Sequence, residues 1–133
     1  MSKSAIYTAN TNTQAVVANG VLDLGNIIRR FGCAVNLAGN AIALDEAGYY
    51  DVSVSVVAAP TAIGNVTVSL LNNGVTVVGA TATEASAVAN TPVNLSFESI
   101  VRVFCNATAG ALSLVLTGID ADVSNVSVVV KKL

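Results

Sequence analysis

The chain has 133 residues, which is about the size of one domain with a single hydrophobic core. Its formal net charge is −2, and its basic residues are dispersed apart from the pairs Arg29-Arg30 and Lys131-Lys132, so the basic stripe of a nucleic-acid surface is missing. Apolar residues make up 53% of the sequence and charged residues only 11%, which is more apolar surface than one small soluble domain can bury and favours an oligomer.

The sequence predicts neither membrane insertion nor a secretory signal. A membrane-spanning helix needs roughly 20 consecutive apolar residues, and Ser, Thr, Asn or Gly interrupts every apolar run here before that length. Residues 1–17 lack the continuous apolar segment of a signal peptide. We therefore expect a protein that assembles in the cytoplasm.

The first predicted element is an N-terminal arm. Residues 1–12 are polar and small and show no hydrophobic periodicity, which is typical of a chain end outside the core. We expect this arm to attach the protein to a larger structure, with Ile6 and Tyr7 as its candidate contact residues. Residues 13–133 are then the folded domain.

Strands are predicted along the whole domain. Apolar and polar residues alternate, and turn residues separate the runs, as at Asn19-Gly20 and Asn72-Asn73-Gly74. Gly32 marks a bulge or a close approach. The stretch 79–91 is open between a helix, which its Ala and Glu residues suit, and an extended connection, which its Thr, Ser and Val residues favour. The predicted strands cover residues 13–17, 21–24, 27–37, 41–44, 49–58, 66–71, 75–78, 93–104, 112–116 and 126–130.

This pattern predicts an all-β fold. About eight to ten short strands, with turn signals roughly every ten residues, are typical of a sandwich or jelly roll. Clear helices between the strands are missing, so parallel βαβ units are not expected. The sequence therefore predicts a single-domain antiparallel jelly-roll sandwich.

Three segments carry a family resemblance. The run GNAIALDEAGYYDV at 39–52 resembles the core motif of the jelly roll shared by tumour-necrosis-factor-like ligands, complement-type globular heads and bacterial collagen-tip proteins. The segments 68–80 and 125–133 are similar to the next hairpin and the closing strand of that family. The resemblance implies a compact homotrimer that forms through one sheet face. Small versions without a signal peptide look most like structural proteins of tailed bacteriophages.

The apolar sheet surface supplies the candidate contacts between subunits. Three copies can close into a ring through two different patches on each copy. Tyr49 and Tyr50 point to opposite faces, so we expect one in the core and the other at the subunit contact, with ligand stacking as the alternative. The candidate contact residues are Tyr49, Tyr50, Phe97, Val128 and Val130.

Residues suited to catalysis are scarce. The chain has no histidine, which a catalytic cysteine usually needs as its base. Cys33 and Cys105 are therefore expected to pack in the core, with a cross-sheet disulfide as the second interpretation. Asp120 and Asp122 could offer oxygen ligands to calcium, but one pair of carboxylates is more typical of a surface loop. We expect no enzyme activity, no cofactor and no metal.

These expectations combine into one functional hypothesis and one alternative. The chain is predicted to be a non-enzymatic virion protein, namely a trimeric capsid decoration or head-fibre protein of a tailed bacteriophage that docks to a major capsid protein or to a fibre or tail protein. The alternative is a receptor- or carbohydrate-binding tip of a phage tail or bacterial surface fibre. Such a tip would hold a host surface glycan through loops such as 60–65 and 80–91.

Overall fold

A computed structural model describes residues 3–104 and 109–133. These residues form eleven β-strands. The strands are β1 (Ala5–Asn10), β2 (Gln14–Val16), β3 (Asn26–Phe31), β4 (Val35–Ala38), β5 (Ala41–Leu44), β6 (Gly48–Pro60), β7 (Gly64–Asn72), β8 (Val75–Ser86), β9 (Val93–Val103), β10 (Gly110–Thr117) and β11 (Ala121–Lys132). Neither of these two segments contains a helix that could span a lipid bilayer.

The strands form two antiparallel sheets that enclose one core. Sheet A has the order β3-β1-β11-β6-β9, with β2 paired to the start of β11, and sheet B has the order β4-β5-β10-β7-β8. Neighbours in each sheet are mostly distant in sequence, as in a jelly roll. The predicted all-β sandwich is therefore confirmed, with eleven strands in place of the expected eight to ten.

One extra strand arises because the predicted strand 27–37 is divided between the two sheets. Gly32 adopts a φ of 83° where the chain leaves β3 in sheet A and crosses to β4 in sheet B. A Cβ at this position would overlap the Ser4 side chain. Gly32 is thus the close approach that the sequence indicated, and only glycine satisfies both the conformation and the space.

The N-terminal segment is part of sheet A, so the predicted arm is wrong from Ala5 onwards. Strand β1 lies between β3 and β11, with Ile6 opposite Val130. Ile6 is only 1% exposed and belongs to the core. The inward positions that follow it are Thr8 and Asn10, whose polar side chains hide the alternation in the sequence. Ile6 therefore cannot serve as an attachment contact while the sheet is intact.

The stretch 79–91, for which the sequence left a helix and an extended connection as alternatives, is extended over most of its length, because β8 continues to Ser86. The Thr83 and Thr67 hydroxyls lie 2.8 Å apart, and the Thr81 and Ser69 hydroxyls 3.0 Å apart. These cross-strand hydroxyl pairs stabilise β8 against β7. The helix interpretation of this stretch is wrong.

Cys33 does not pack in the core. It is exposed in the crossing between β3, an edge strand of sheet A, and β4, an edge strand of sheet B, and it has no disulfide partner among the described residues. Cys105 lies outside the described residues. The core interpretation is therefore wrong for Cys33.

Candidate subunit interface

The outer face of sheet A, which points away from the core, is the candidate interface. The strand registers place its outward side chains in rows across β1, β11, β6 and β9. Serines occupy much of its centre, and larger side chains lie towards its margins. The three central rows are Ala5-Lys131-Asp51-Ile100, Tyr7-Val129-Ser53-Glu98 and Ala9-Ser127-Ser55-Ser96.

The side chains in the centre of this face are short and project little above the sheet. Ser53, Ser55 and Ser127 are half-buried by their neighbours on the same face. The Ser53 hydroxyl donates a hydrogen bond to the Glu98 carboxylate at 3.3 Å. The short side chains let another sheet or loop approach closely, while the aromatic and aliphatic residues of this face, such as Tyr7, Tyr49 and Ile100, are of the kind enriched at protein interfaces or exposed as apolar surface.

A hollow lies at the β3 side of this face, and we call it the β3 hollow. Its volume is about 110 Å³. Tyr7 lies opposite Arg29, and Ala5 opposite Phe31, across the β1–β3 pairing. Phe31 is largely exposed even though it is aromatic. The lining residues are Ala5, Ile6, Tyr7, Arg29, Phe31, Val129 and Lys131.

A larger groove of about 670 Å³ lies at the opposite side, where β9 and β8 form the edges of the two sheets, and we call it the β8/β9 groove. It combines two carboxylates with three aliphatic side chains. The lining residues are Asp51, Val78, Glu98, Ser99, Ile100 and Leu133.

Val78 is 97% exposed, because β8 bulges away from β7 at this point. Ser69 pairs with Thr81, whereas Leu71 pairs with Thr76, so β8 carries three more residues than β7 across this interval. The bulge contains Gly79, which has a φ of 82°. Bulges at sheet edges redirect a side chain, and here the redirected side chain is aliphatic and projects into solvent.

Arg102 joins two aromatic rings at the end of the outer face. Its guanidinium lies 4.2 Å from the centre of the Phe104 ring and 5.4 Å from that of Tyr49. Both distances are within the range of a cation–π interaction. Phe104 and Tyr49 are at least half exposed, so this cluster presents an aromatic surface to solvent.

The structure divides the predicted contact residues between the two faces. Tyr49 lies on the outer face and is 50% exposed, whereas Phe97 is partly buried and packs against the core. Tyr50, Val128 and Val130 belong to the core. These three predictions are wrong, because a side chain inside the sandwich cannot touch a second copy while the fold is intact.

The sequence pattern misplaced one residue of this surface and missed two others. Tyr7 was assigned to an arm, but it lies on the outer face of sheet A next to Val129. Val129 was hidden in the run Val128–Val130, where apolar residues occupy both faces of the strand. Its parity relative to Val126 could have assigned it to the outer face. Val78 carried no such signal, because its exposure depends on a bulge.

Tyr50 has a structural role beneath this surface. Its hydroxyl donates a 2.6 Å hydrogen bond to the Glu46 carbonyl, which ties the turn before β6 to the core. Burial raises the pKa of Tyr50, and the negative charges of Glu46 and Asp45 add to this effect, while the hydrogen bond opposes it. Lys132 closes the same turn with a 3.3 Å ion pair to Glu46.

The carboxylates considered for calcium do not come together in a metal-binding group. Asp120 instead accepts a 2.8 Å hydrogen bond from the Ala18 amide, which joins two loops at one end of the sandwich. Within residues 3–104 and 109–133, no three His, Cys, Asp or Glu side chains form a group that could hold a metal ion.

No protein-family model and no curated protein sequence matches the chain. Several solved structures, in contrast, are similar to it. Murine APRIL at pH 5.0 matches with a TM-score of 0.77 and 11% identity, over 99% of this chain and 100% of that one. The globular domain of the zebrafish complement 1qA protein matches with a TM-score of 0.70 and 7% identity, over 97% and 95%.

PRD1 vertex protein P5 is also similar, with a TM-score of 0.60 and 15% identity over 98% of this chain and 96% of that one. These identities are low, so the likeness concerns the fold. It confirms the resemblance seen in residues 39–52. The chain has the jelly-roll fold that tumour-necrosis-factor-like ligands and complement globular heads share.

Proposed function

We propose that this protein is a non-enzymatic structural protein of a tailed-bacteriophage virion and that it functions as a homotrimer. The observation that carries the proposal is the outer face of sheet A, which presents Tyr7, Tyr49, Val129 and Ile100 across four adjacent strands. The likeness to a vertex protein of phage PRD1 supports a role on a virus particle.

Self-association follows from the chemistry of this surface. Exposed apolar patches on soluble proteins usually mark contact sites, and burial contributes about 25 cal/mol per Å² of apolar area. A stable contact needs on the order of 800 Å² per partner, which is a modest share of the 6631 Å² surface of one chain. A ring of three copies uses two different patches on each copy, and sheet A offers the β3 hollow at one side and the β8/β9 groove at the other.

The mass of the purified native protein tests this proposal. We expect sedimentation equilibrium at micromolar concentration to give three times the 13.4 kDa of one chain. A folded monomer at that concentration would contradict the trimer. Copy number in purified particles tests the role, because a decoration protein is expected in hundreds of copies and an adsorption tip in a few.

The Arg102 cluster favours a second candidate function, the binding of a host surface glycan. The loops first considered for this role, 60–65 and 80–91, contain no aromatic residue. Tyr49 and Phe104 instead offer exposed rings beside a cation that can donate hydrogen bonds. On a glycan array we expect saturable binding that Phe104→Ala abolishes and Ile63→Ala, an exposed loop control, retains. An array without binding would retire this candidate.

A further inference from the structure

We propose that the β8/β9 groove of one copy docks on the β3 hollow of the next copy, with Val78 inserted into the hollow and Glu98 beside Arg29. This inference rests on the proposed trimer and names the two surfaces that meet in it. Three observations lead to it: the projection of Val78, the shape and lining of the hollow, and the opposite charges of the two surfaces.

The projection of Val78 contributes no stability to an isolated chain. An aliphatic side chain that is 97% exposed gains nothing from the hydrophobic effect. The bulge that directs it outwards also interrupts the pairing between β7 and β8. A bulge that exposes an aliphatic side chain is explained if that side chain is buried against another surface.

The β3 hollow is of a size and chemistry that fit this side chain. Its volume of about 110 Å³ exceeds the roughly 30 Å³ that one water molecule occupies in the liquid. Its lining includes Tyr7, Phe31 and Val129, which are apolar. An isopropyl group that enters it would remove apolar surface of both copies from water.

Charge complementarity identifies the partner surface. Two acidic residues, Asp51 and Glu98, line the groove, and two basic residues, Arg29 and Lys131, border the hollow. Lys131 is also the cross-strand neighbour of Asp51 in its own copy, so part of their charge is balanced internally. Glu98 and Arg29 lie on β9 and β3, at opposite edges of sheet A, and are the pair that we expect to meet between copies.

The positions of the two surfaces determine which assemblies their contact can build. A two-fold axis through the groove would oppose Glu98 to Glu98, and one through the hollow would oppose Arg29 to Arg29. A two-fold axis midway between them would pair the groove with the hollow twice and stop at a dimer, so a trimer mass and cross-linked trimers distinguish the ring. The edges are separated by about 19 Å, four strand spacings of roughly 4.8 Å. A contact between two different patches is heterologous and closes when the rotation between copies divides a full turn.

Charge reversal tests the contact, with mass measured across a concentration series and folding checked by circular dichroism. We expect Arg29→Glu and Glu98→Arg each to raise the concentration at which the trimer dissociates at least tenfold. The combined variant Arg29→Glu/Glu98→Arg should return to within about threefold of the wild type. Lys3→Glu and Glu84→Arg, at exposed positions outside both surfaces, make the same charge changes and should have little effect.

Cysteine cross-linking provides a second test that does not depend on charge. With Cys33→Ser and Cys105→Ser as background, Val78→Cys/Tyr7→Cys should form disulfide-linked dimers and trimers on oxidation. A wild-type trimer with no rescue by the double reversal and no cross-linking would overturn this contact and leave the proposed function intact. A wild-type monomer would overturn both.

Discussion

The two faces of sheet A differ sharply although they are made from the same strands. On the inner face, Tyr50, Val128 and Val130 pack in the core. On the outer face lie Tyr49, which is exposed, and Val129, which is partly exposed, each one residue away in the sequence. Successive side chains of a strand point to opposite faces of the sheet, so neighbouring residues have different surroundings. The inner face stabilises the sandwich, and the outer face is available for contact with another protein surface.

The largest effect is expected from a charge placed on each face in turn. Val130→Asp would bury an unpaired carboxylate in a site that is closed to water. We expect a loss of roughly 3–5 kcal/mol in the free energy of unfolding, by analogy with an uncompensated buried charge, and a protein that is mainly unfolded or insoluble. Urea denaturation of the soluble fraction measures this.

Val129→Asp is the matched change on the outer face. We expect this variant to keep its circular dichroism spectrum, because the carboxylate can be hydrated. Its mass in solution should shift towards that of one chain, since Val129 lines the β3 hollow. If Val129→Asp unfolded the protein as completely as Val130→Asp, the division between the two faces would be wrong.

The adjacent tyrosines sharpen the same comparison. Tyr50→Ala removes a fully buried ring and should cost about 3–5 kcal/mol of stability, the range for aromatic deletions in cores. Tyr49→Ala removes a half-exposed ring that contacts Arg102 at 5.4 Å, so its cost should be below about 1 kcal/mol. Thermal unfolding of both variants at one chain concentration measures the difference, and equal costs would contradict it.

The strands with apolar residues at every inward position could be predicted from the sequence. Strand β6 was predicted at 49–58 and spans Gly48–Pro60, because valines face the core and serines face outwards along most of it. Strand β1 was missed because Thr8 and Asn10 occupy inward positions. The length of strand β8 was underestimated, because its Thr-rich half is stabilised by hydroxyl pairs with β7. No local pattern in the sequence reveals such pairs.

The candidate interface was predictable in kind but not in its residues. The excess of apolar residues indicated self-association, and Tyr49 was correctly expected to point away from Tyr50. The β8/β9 groove could not be predicted, because β6, β8, β9 and the chain end contribute to it from distant parts of the sequence. Its most exposed side chain, Val78, depends on a bulge that only the pairing with β7 defines.

A smaller effect is expected from alkaline pH, and it again distinguishes Tyr50 from Tyr49. Because burial raises the pKa of Tyr50, the folded state favours its protonated form. This contribution is complete below pH 10, the ordinary tyrosine pKa of an unfolded chain, and is lost as pH rises through the higher pKa of the folded state. Stability should therefore fall more steeply above pH 10 in the wild type than in Tyr50→Phe.

Tyr49→Phe is the control for that titration. The two substitutions remove one phenol each, but Tyr49 is half exposed and Tyr50 is buried with its hydroxyl on the Glu46 carbonyl. Tyr49→Phe should retain the steep wild-type loss of stability. Identical pH profiles for Tyr50→Phe and the wild type would show that ionisation of Tyr50 does not oppose folding.

The smallest expected effect concerns the polar exception on the inner face, and its sign is opposite. The Thr8 hydroxyl is buried and has no hydrogen-bond partner among the residues that the structure describes, so Thr8→Val replaces a desolvated polar group with a methyl group of similar size. We expect a gain of about 1 kcal/mol in the free energy of unfolding. Thr67→Val, which breaks the exposed hydroxyl pair with Thr83, should instead be neutral or slightly destabilising. Urea denaturation of both variants decides this, and a destabilised Thr8→Val would mean that the inner face of β1 needs a polar group at that position.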